Sequence, residues 1–209
     1  MKIKFSILFL LYFTVLIGSV NAQYFPSEVW HEGKLTLLSG DEISGKIKYN
    51  FEADLVQVNL NNTLQTYSAR KILFFEIYDE EVSRYRQFYA LPYNVRPNYK
   101  VPMLFEVLYE NTMTLLCRES VVQETVPQYG YYSYYGNRYA TRYRLSFDYF
   151  FLNPKGDIIP YSQKKDDLYN ILSQNKDNLE KYVKENRLKY DRHRDLVRIT
   201  AYYNSLLNS

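Results

Sequence analysis

Between residue 30 and about residue 161 apolar and polar side chains alternate, and the breaks fall at Gly, Asn, Asp and Pro. A period of two puts successive side chains on opposite faces of an extended chain, so this stretch buries an apolar face as strands joined by tight turns. Residues 34–38 and 43–50 flank Ser39-Gly40-Asp41, a hairpin connection whose glycine accepts positive φ. Residues 55–60 and 64–67 flank the Asn61-Asn62 turn, and the strongly apolar 72–78 follows. Residues 103–109 and 112–118 face each other across Glu110-Asn111, and 143–152 meets 158–161 across Asn153-Pro154-Lys155-Gly156-Asp157. The pattern predicts about eight to ten short strands at hairpin spacing, favouring an antiparallel β-barrel or sandwich over a parallel sheet.

After Gln163 the period lengthens. Asp166, Asp167, Leu168, Tyr169, Ile171 and Leu172 read as a short helix with acids in its first turn, where the helix dipole favours them. Leu179, Tyr182 and Val183 form one face of a second helix, with Glu180 and Lys184 spaced as an (i, i+4) pair and Asn186 as its stop. A third runs from Asp191, its expected N-cap, through Leu196, Ile199, Thr200, Tyr203 and Leu206. Each apolar stripe is narrow, so the helices should lie on the sheet or on each other with one side wet. The expected class is mainly β (α+β): a β domain over 23–163, then two or three short C-terminal helices over 164–209 packed on it.

The first 22 residues read as a segment apart. Met1-Lys2-Ile3-Lys4 is a cationic start, residues 5–17 are an almost unbroken apolar run, and Gly18-Ser19-Val20-Asn21-Ala22 ends in small residues suited to signal peptidase. The run is shorter than the roughly 20 residues a transmembrane helix needs, so 1–22 is expected to be a signal peptide cleaved after Ala22. Gln23 occupies the place a lipid-bearing Cys would need. Removing 1–22 takes Lys2 and Lys4 and no acid, bringing the net charge from +3 to +1. That balance argues against nucleic acid as a partner, because phosphate-backbone affinity needs many Lys and Arg contacts. No later segment is apolar enough to span a membrane as a helix, so the expected location is periplasmic, cell-surface or secreted.

The run Gly33-Lys34-Leu35-Thr36-Leu37-Leu38-Ser39-Gly40-Asp41-Glu42-Ile43-Ser44-Gly45-Lys46-Ile47 stands near the expected mature start. Near the end stand Tyr182-Val183-Lys184-Glu185-Asn186-Arg187-Leu188 and Asp195-Leu196 to Tyr202-Tyr203-Asn204-Ser205-Leu206. In these the chain resembles a group of exported, β-rich proteins of unknown function from Gram-negative bacteria. The resemblance implies a bacterial envelope location and brings no activity, cofactor or catalytic residue.

Elements of chemistry are sparse. One Cys and two His exclude a disulfide framework and leave little for a metal site, so no metal or cofactor is expected. Gly-x-Ser-x-Gly, Gly-rich phosphate-loop, His-Glu-x-x-His and Cys-x-x-Cys motifs are all missing. His31 follows the single Trp30, and the pair reads as edge aromatics sealing the end of the β domain rather than a ligand stack. His193, within Asp191-Arg192-His193-Arg194-Asp195, reads as part of a solvated helix start. Cys117 shares strand parity with Met113 and Leu115, away from Arg118, which makes it a buried structural thiol. Asp79-Glu80-Glu81 ends an apolar strand; it reads as a solvated stop, with a pair of rim acids for general acid–base work as the alternative.

The least ordinary segment is 129–143, in which seven of fifteen residues are Tyr, interrupted by small or polar residues and two Arg. Tyr offers large amphipathic contact area at low entropy cost, and with Ser, Gly and Asn makes the composition of adaptable binding loops. The segment is expected to be a projecting insertion, with Tyr129, Tyr131, Tyr132, Tyr134, Tyr135, Arg138, Tyr139 and Arg142 as candidate ligand-binding residues. Two plainer readings stay open: a long hairpin turning at Gly136-Asn137 whose Tyr pair across strands, and a Tyr-rich bias of the whole chain. The function expected is a non-catalytic envelope or secreted module binding a protein or glycan. The alternative is a hydrolase of cell-wall or extracellular polymer working through carboxylates.

Overall fold

The computed structural model describes residues 25–127 and 139–207. Ten strands follow one another: β1 (His31–Leu37), β2 (Glu42–Asn50), β3 (Leu55–Leu60), β4 (Thr63–Ser68), β5 (Ile72–Asp79), β6 (Arg84–Arg96), β7 (Tyr99–Tyr109), β8 (Thr114–Pro127), β9 (Tyr139–Leu152) and β10 (Ile158–Tyr161). Helices α1 (Lys165–Ile171), α2 (Lys176–Glu185) and α3 (His193–Leu207) complete the chain. All ten strands belong to one antiparallel sheet in the order β10-β9-β8-β7-β6-β5-β1-β2-β3-β4. The mainly β class with three closing helices is as the alternation predicts. The sheet is not closed into a barrel, because its outer strands β10 and β4 do not pair with each other.

The open sheet is nevertheless strongly curled. Gly33 on β1 lies opposite Gly45 on β2. A Cβ on Gly33 would stand 2.3 Å from the Glu76 carbonyl oxygen of β5, and one on Gly45 2.8 Å from the Asn59 carbonyl oxygen of β3. Backbones approach there more closely than any side chain permits, which is how glycine lets a sheet bend. As a result Tyr49 Oη on β2 lies 2.5 Å from Glu119 Oε1 on β8, five strands away in the sheet order. In a flat sheet, at about 4.8 Å per strand, the same strands would lie roughly 24 Å apart.

The concave face carries two apolar clusters. Leu35, Ile47, Val56, Phe75, Ile77, Phe88 and Leu104 fill the bend, with the Phe75 and Phe88 rings stacked at 4.5 Å. Leu115, Cys117, Tyr149, Phe151 and Tyr161 receive the narrow stripes of the helices, among them Leu168, Leu179, Val183, Leu196 and Ile199. Cys117 is fully buried, as its parity predicts, and burial pushes its thiol pKa well up, leaving a small hydrophobe rather than a nucleophile. Asn204 fastens α3 to the turn before β8: Met113 N–H donates to its Oδ1 and its Nδ2 donates to the Met113 carbonyl, both at 2.8 Å.

Three features differ from the sequence reading. β6 was not expected, because Arg86 takes an inward position and inverts the apparent alternation. β8 and β9 are longer than residues 112–118 and 143–152. Glu180 accepts a hydrogen bond from Lys165 Nζ of α1 at 2.5 Å, an inter-helix ion pair stronger than its (i, i+4) attraction to Lys184.

Candidate functional site

Between the two apolar clusters the concave face holds a buried ionic knot. Arg86, only 5% exposed, donates from Nε and Nη2 to the two oxygens of Glu106 at 2.9 and 2.7 Å. Its Nη2 also reaches Glu119 at 2.9 Å, and its Nη1 reaches Asp79 at 3.0 Å and Tyr49 Oη at 3.1 Å. Side chains of β2, β5, β6, β7 and β8 thus converge on one guanidinium, whose planar array of donors suits several acceptors at once. Burial alone would favour the neutral arginine, but the hydrogen bonds and charge of Glu106 outweigh it and hold Arg86 above its ordinary pKa. Burial in turn pushes the Tyr49 hydroxyl pKa up, so it remains a donor to Glu119.

The knot corrects two expectations. Asp79 is not a solvated strand stop: it is 1% exposed and ion-paired to Arg86, while Glu80 and Glu81 remain exposed in the turn beyond. The three acids therefore do not converge as a rim pair. His193 is not solvated either, for its ring packs against Phe147 and Tyr149 and its buried Nε2 has no hydrogen-bond partner among the described residues. Burial lowers its pKa, opposed by Glu106 and reinforced by Arg84 and Arg86. His31 does seal the β domain: it is buried, its Nε2 lies 2.7 Å from the Pro26 carbonyl, and it stacks on Tyr49, whereas Trp30 is 41% exposed.

Beside the knot opens a cleft of about 740 Å³ between the β2–β3 hairpin and the root of β8, with Lys48, Tyr49, Glu52, Glu119 and Asp148 in its walls. Arg118 closes its inner end. Nη1 donates to Asp54 Oδ1 at 2.8 Å and to the Leu104 carbonyl at 2.6 Å, and Nη2 donates to the Phe51 carbonyl. The Leu104 N–H donates to Asp54 at 2.8 Å, so this ion pair satisfies both backbone groups of Leu104 as a neighbouring strand would.

Beyond Cys117, β8 leaves β7 and pairs with β9 alone, through ten registered positions from Arg118–Asp148 to Pro127–Tyr139. This makes a two-stranded ribbon about 30 Å long. One face presents Val121, Gln123 and Thr125 with Leu145, Tyr143 and Thr141, and Tyr139 opposite Pro127. On the other face Glu124 accepts hydrogen bonds from Arg142 and Arg144. Tyr139 is 62% and Tyr143 49% exposed.

Of the candidate ligand-binding residues, Tyr129, Tyr131, Tyr132, Tyr134, Tyr135 and Arg138 lie outside the described residues. Tyr139 and Arg142 sit on opposite faces of the ribbon, with Arg142 tied to Glu124. The sequence reading overlooked Arg86, Glu106 and Glu119. The signal for them was parity, because each lies two residues from a buried apolar neighbour, namely Phe88, Leu104 and Cys117. Among the described residues no group of three or more His, Cys, Asp or Glu is placed to hold a metal ion, and no helix is long and apolar enough to cross a membrane. No protein-family model, curated protein or solved structure matches the chain.

Proposed function

We propose that the protein is an exported, non-catalytic module of the bacterial envelope or its surroundings that binds a protein or glycan through the β8–β9 ribbon and the Tyr-rich residues of 129–143. The observation that carries this reading is the ribbon's uncharged face, with Tyr139 and Tyr143 largely exposed on a projection flanked by no third strand among the described residues. A two-stranded ribbon is marginal by itself, and exposed aromatic surface marks contact sites. Tyr faces stack on sugar rings and on peptide side chains alike. Export rests on the cationic and apolar pattern of residues 1–22. The catalytic alternative has less support, since the inward acids Asp79, Glu106 and Glu119 are all bound to Arg86.

Replacing Tyr131, Tyr132, Tyr134, Tyr135, Tyr139 and Tyr143 together by Ser should leave the melting temperature nearly unchanged and abolish recovery of a partner from envelope extracts. Protease treatment of the extract removes a protein partner, and periodate removes a glycan. A sharp fall in melting temperature would instead make these tyrosines packing residues and end the binding reading.

A further inference from the structure

The cleft at the root of the ribbon defines a second site, one that goes beyond the aromatic face and stands without it. We propose that it takes an extended peptide bearing Lys or Arg, which adds as a strand to the free edge of β8.

The register shows which backbone groups face the cleft. The N–H and C=O of Leu104 point away from β6, toward Asp54 and Arg118, so the even-numbered residues of β7 turn their backbone groups to the β8 side. Glu106 lies opposite Cys117, and β8 then runs unbroken in register with β9. In an antiparallel ladder opposed pairs alternate between exchanging both hydrogen bonds and exchanging none; Cys117 turns its groups to Glu106, so the odd-numbered residues of β8 direct their backbone groups away from β9. Val121, Gln123 and Thr125 therefore present donors and acceptors that no strand meets among the described residues, along an edge of about 20 Å from Glu119. The inner end is already occupied by the Asp54–Arg118 pair, which satisfies Leu104 in the manner of a strand residue, so the open stretch begins where the cleft begins.

A second hairpin shows what a guarded edge looks like in this chain. Past Ile72, where β5 begins, the β6–β7 hairpin also projects, and there Pro92 lies opposite Pro102. By the same register both prolines stand at outward-facing positions, one on each edge, where they remove the N–H a foreign strand would use. On the open edge of β8, Val121, Gln123 and Thr125 are neither proline nor charged. The edge that borders the cleft is left able to pair, which is the chemistry of strand addition.

Charge selects the peptide. Glu119 is bound to Arg86 and Arg118 to Asp54. Of the remaining charged walls, Glu28, Glu52 and Asp148 are acids and Lys48 is a base, with Asp148 opposite Arg118 in the β8–β9 ladder, so acids outnumber bases along the cleft. Side chains alternating along an added strand would bring Lys or Arg toward those acids.

The test uses the full mature chain and two labelled, end-capped hexapeptides, one alternating Lys with Val and the other Glu with Val, read by fluorescence anisotropy. The Lys peptide should bind at least tenfold more tightly than the Glu peptide and weaken as salt is raised. N-methylation of its Val amides should abolish binding, as should Gln123→Pro, which removes an outward N–H without touching the β8–β9 ladder. Glu52→Lys with Asp148→Lys should reverse the preference between the peptides. Equal affinity for both peptides, no binding of either, or binding indifferent to N-methylation would each overturn the proposal. So would loss of binding on Tyr139→Ser with Tyr143→Ser, which would move the peptide to the aromatic face. If Gln123→Pro fails to fold, the N-methylated peptide still decides the role of the edge.

Discussion

Arg86 shows how much one side chain can determine. Three buried carboxyl groups and a tyrosine hydroxyl turn inward from strands that close only because the sheet curls, and each finds its donor or acceptor at the same guanidinium or at a neighbour bound to it. Removing the donor while keeping the acceptors leaves unpaired buried carboxyls, a loss that far exceeds that of a surface pair. Arg86→Leu should destabilise the protein by about 3–5 kcal/mol, read as a lower denaturant midpoint, and Arg86→Lys should recover only part of that because an ammonium cannot serve the same planar set of acceptors. A loss below about 1 kcal/mol would mean that the knot contributes no more than an exposed ion pair. His193 adds a pH dependence on the helix side of the same region. Burial depresses its pKa in the folded state below the ordinary 6.5, so on acidification the unfolded chain takes up the proton first. Stability from this residue is therefore fully present above about pH 6.5 and falls as pH drops from there toward the depressed value. Melting temperatures at pH 7.5 and 5.5 should differ less for His193→Gln than for the unsubstituted protein. An unchanged difference would remove His193 from the acid response.

At the scale of elements, the curl depends on a contact between residues far apart in any local pattern. Gly33 and Gly45 face each other across β1 and β2, and a methyl group on Gly33 would meet the β5 backbone at 2.3 Å. Backbone atoms there cannot swing aside like the end of a flexible side chain. Gly33→Ala should therefore cost more than the roughly 1–3 kcal/mol typical of overpacking, whereas Gly40→Ala, in the open hairpin loop at φ +89°, meets no atom within 4 Å and bears only the strain of positive φ. Comparable losses at the two positions, measured by chemical denaturation, would refute the close-approach account. The same distinction marks what was legible in the sequence. Strands β1–β3 were readable because apolar and polar residues alternate along them, β4 because it follows the Asn61-Asn62 turn and β5 because it is a short apolar run, and the helices because Leu179 with Val183 and Leu196 with Ile199 and Tyr203 keep a helical spacing. The knot was not readable, since an inward Arg86 or Glu119 looks like the outward half of an alternation. Its partners are set by the curl, and the curl by the Gly33–Gly45 pair across β1 and β2. The long ribbon was missed for a related reason: Glu124, Arg142 and Arg144 balance one another across β8 and β9, and balanced charge looks like loop when each strand is read alone.

At the scale of the molecule, an open ten-stranded sheet has edges, and what becomes of them decides whether the chain stays apart from its copies. β10 is followed directly by α1, and the helices cover the neighbouring face of β8–β10. The β6–β7 hairpin projects without such cover, and its protection is chemical. Pro92 and Pro102 face each other in the pairs whose backbone groups point outward, so neither is missed by the ladder and each removes a donor from an exposed edge. Two prolines at directly opposed positions reduce the inner ladder not at all, which separates this arrangement from proline placed for a turn. Replacing both by Thr should therefore preserve the hairpin, since Thr favours strands, and should add an outward N–H on each side. The double variant Pro92→Thr/Pro102→Thr should show a larger weight-average mass than the unsubstituted chain at equal concentration in sedimentation, with an unchanged β signature by circular dichroism. Either single variant should lie between the two, because it opens one edge only. If the double variant sediments like the unsubstituted chain, proline is not what keeps these edges from pairing, and the contrast drawn between the two projecting hairpins loses its force.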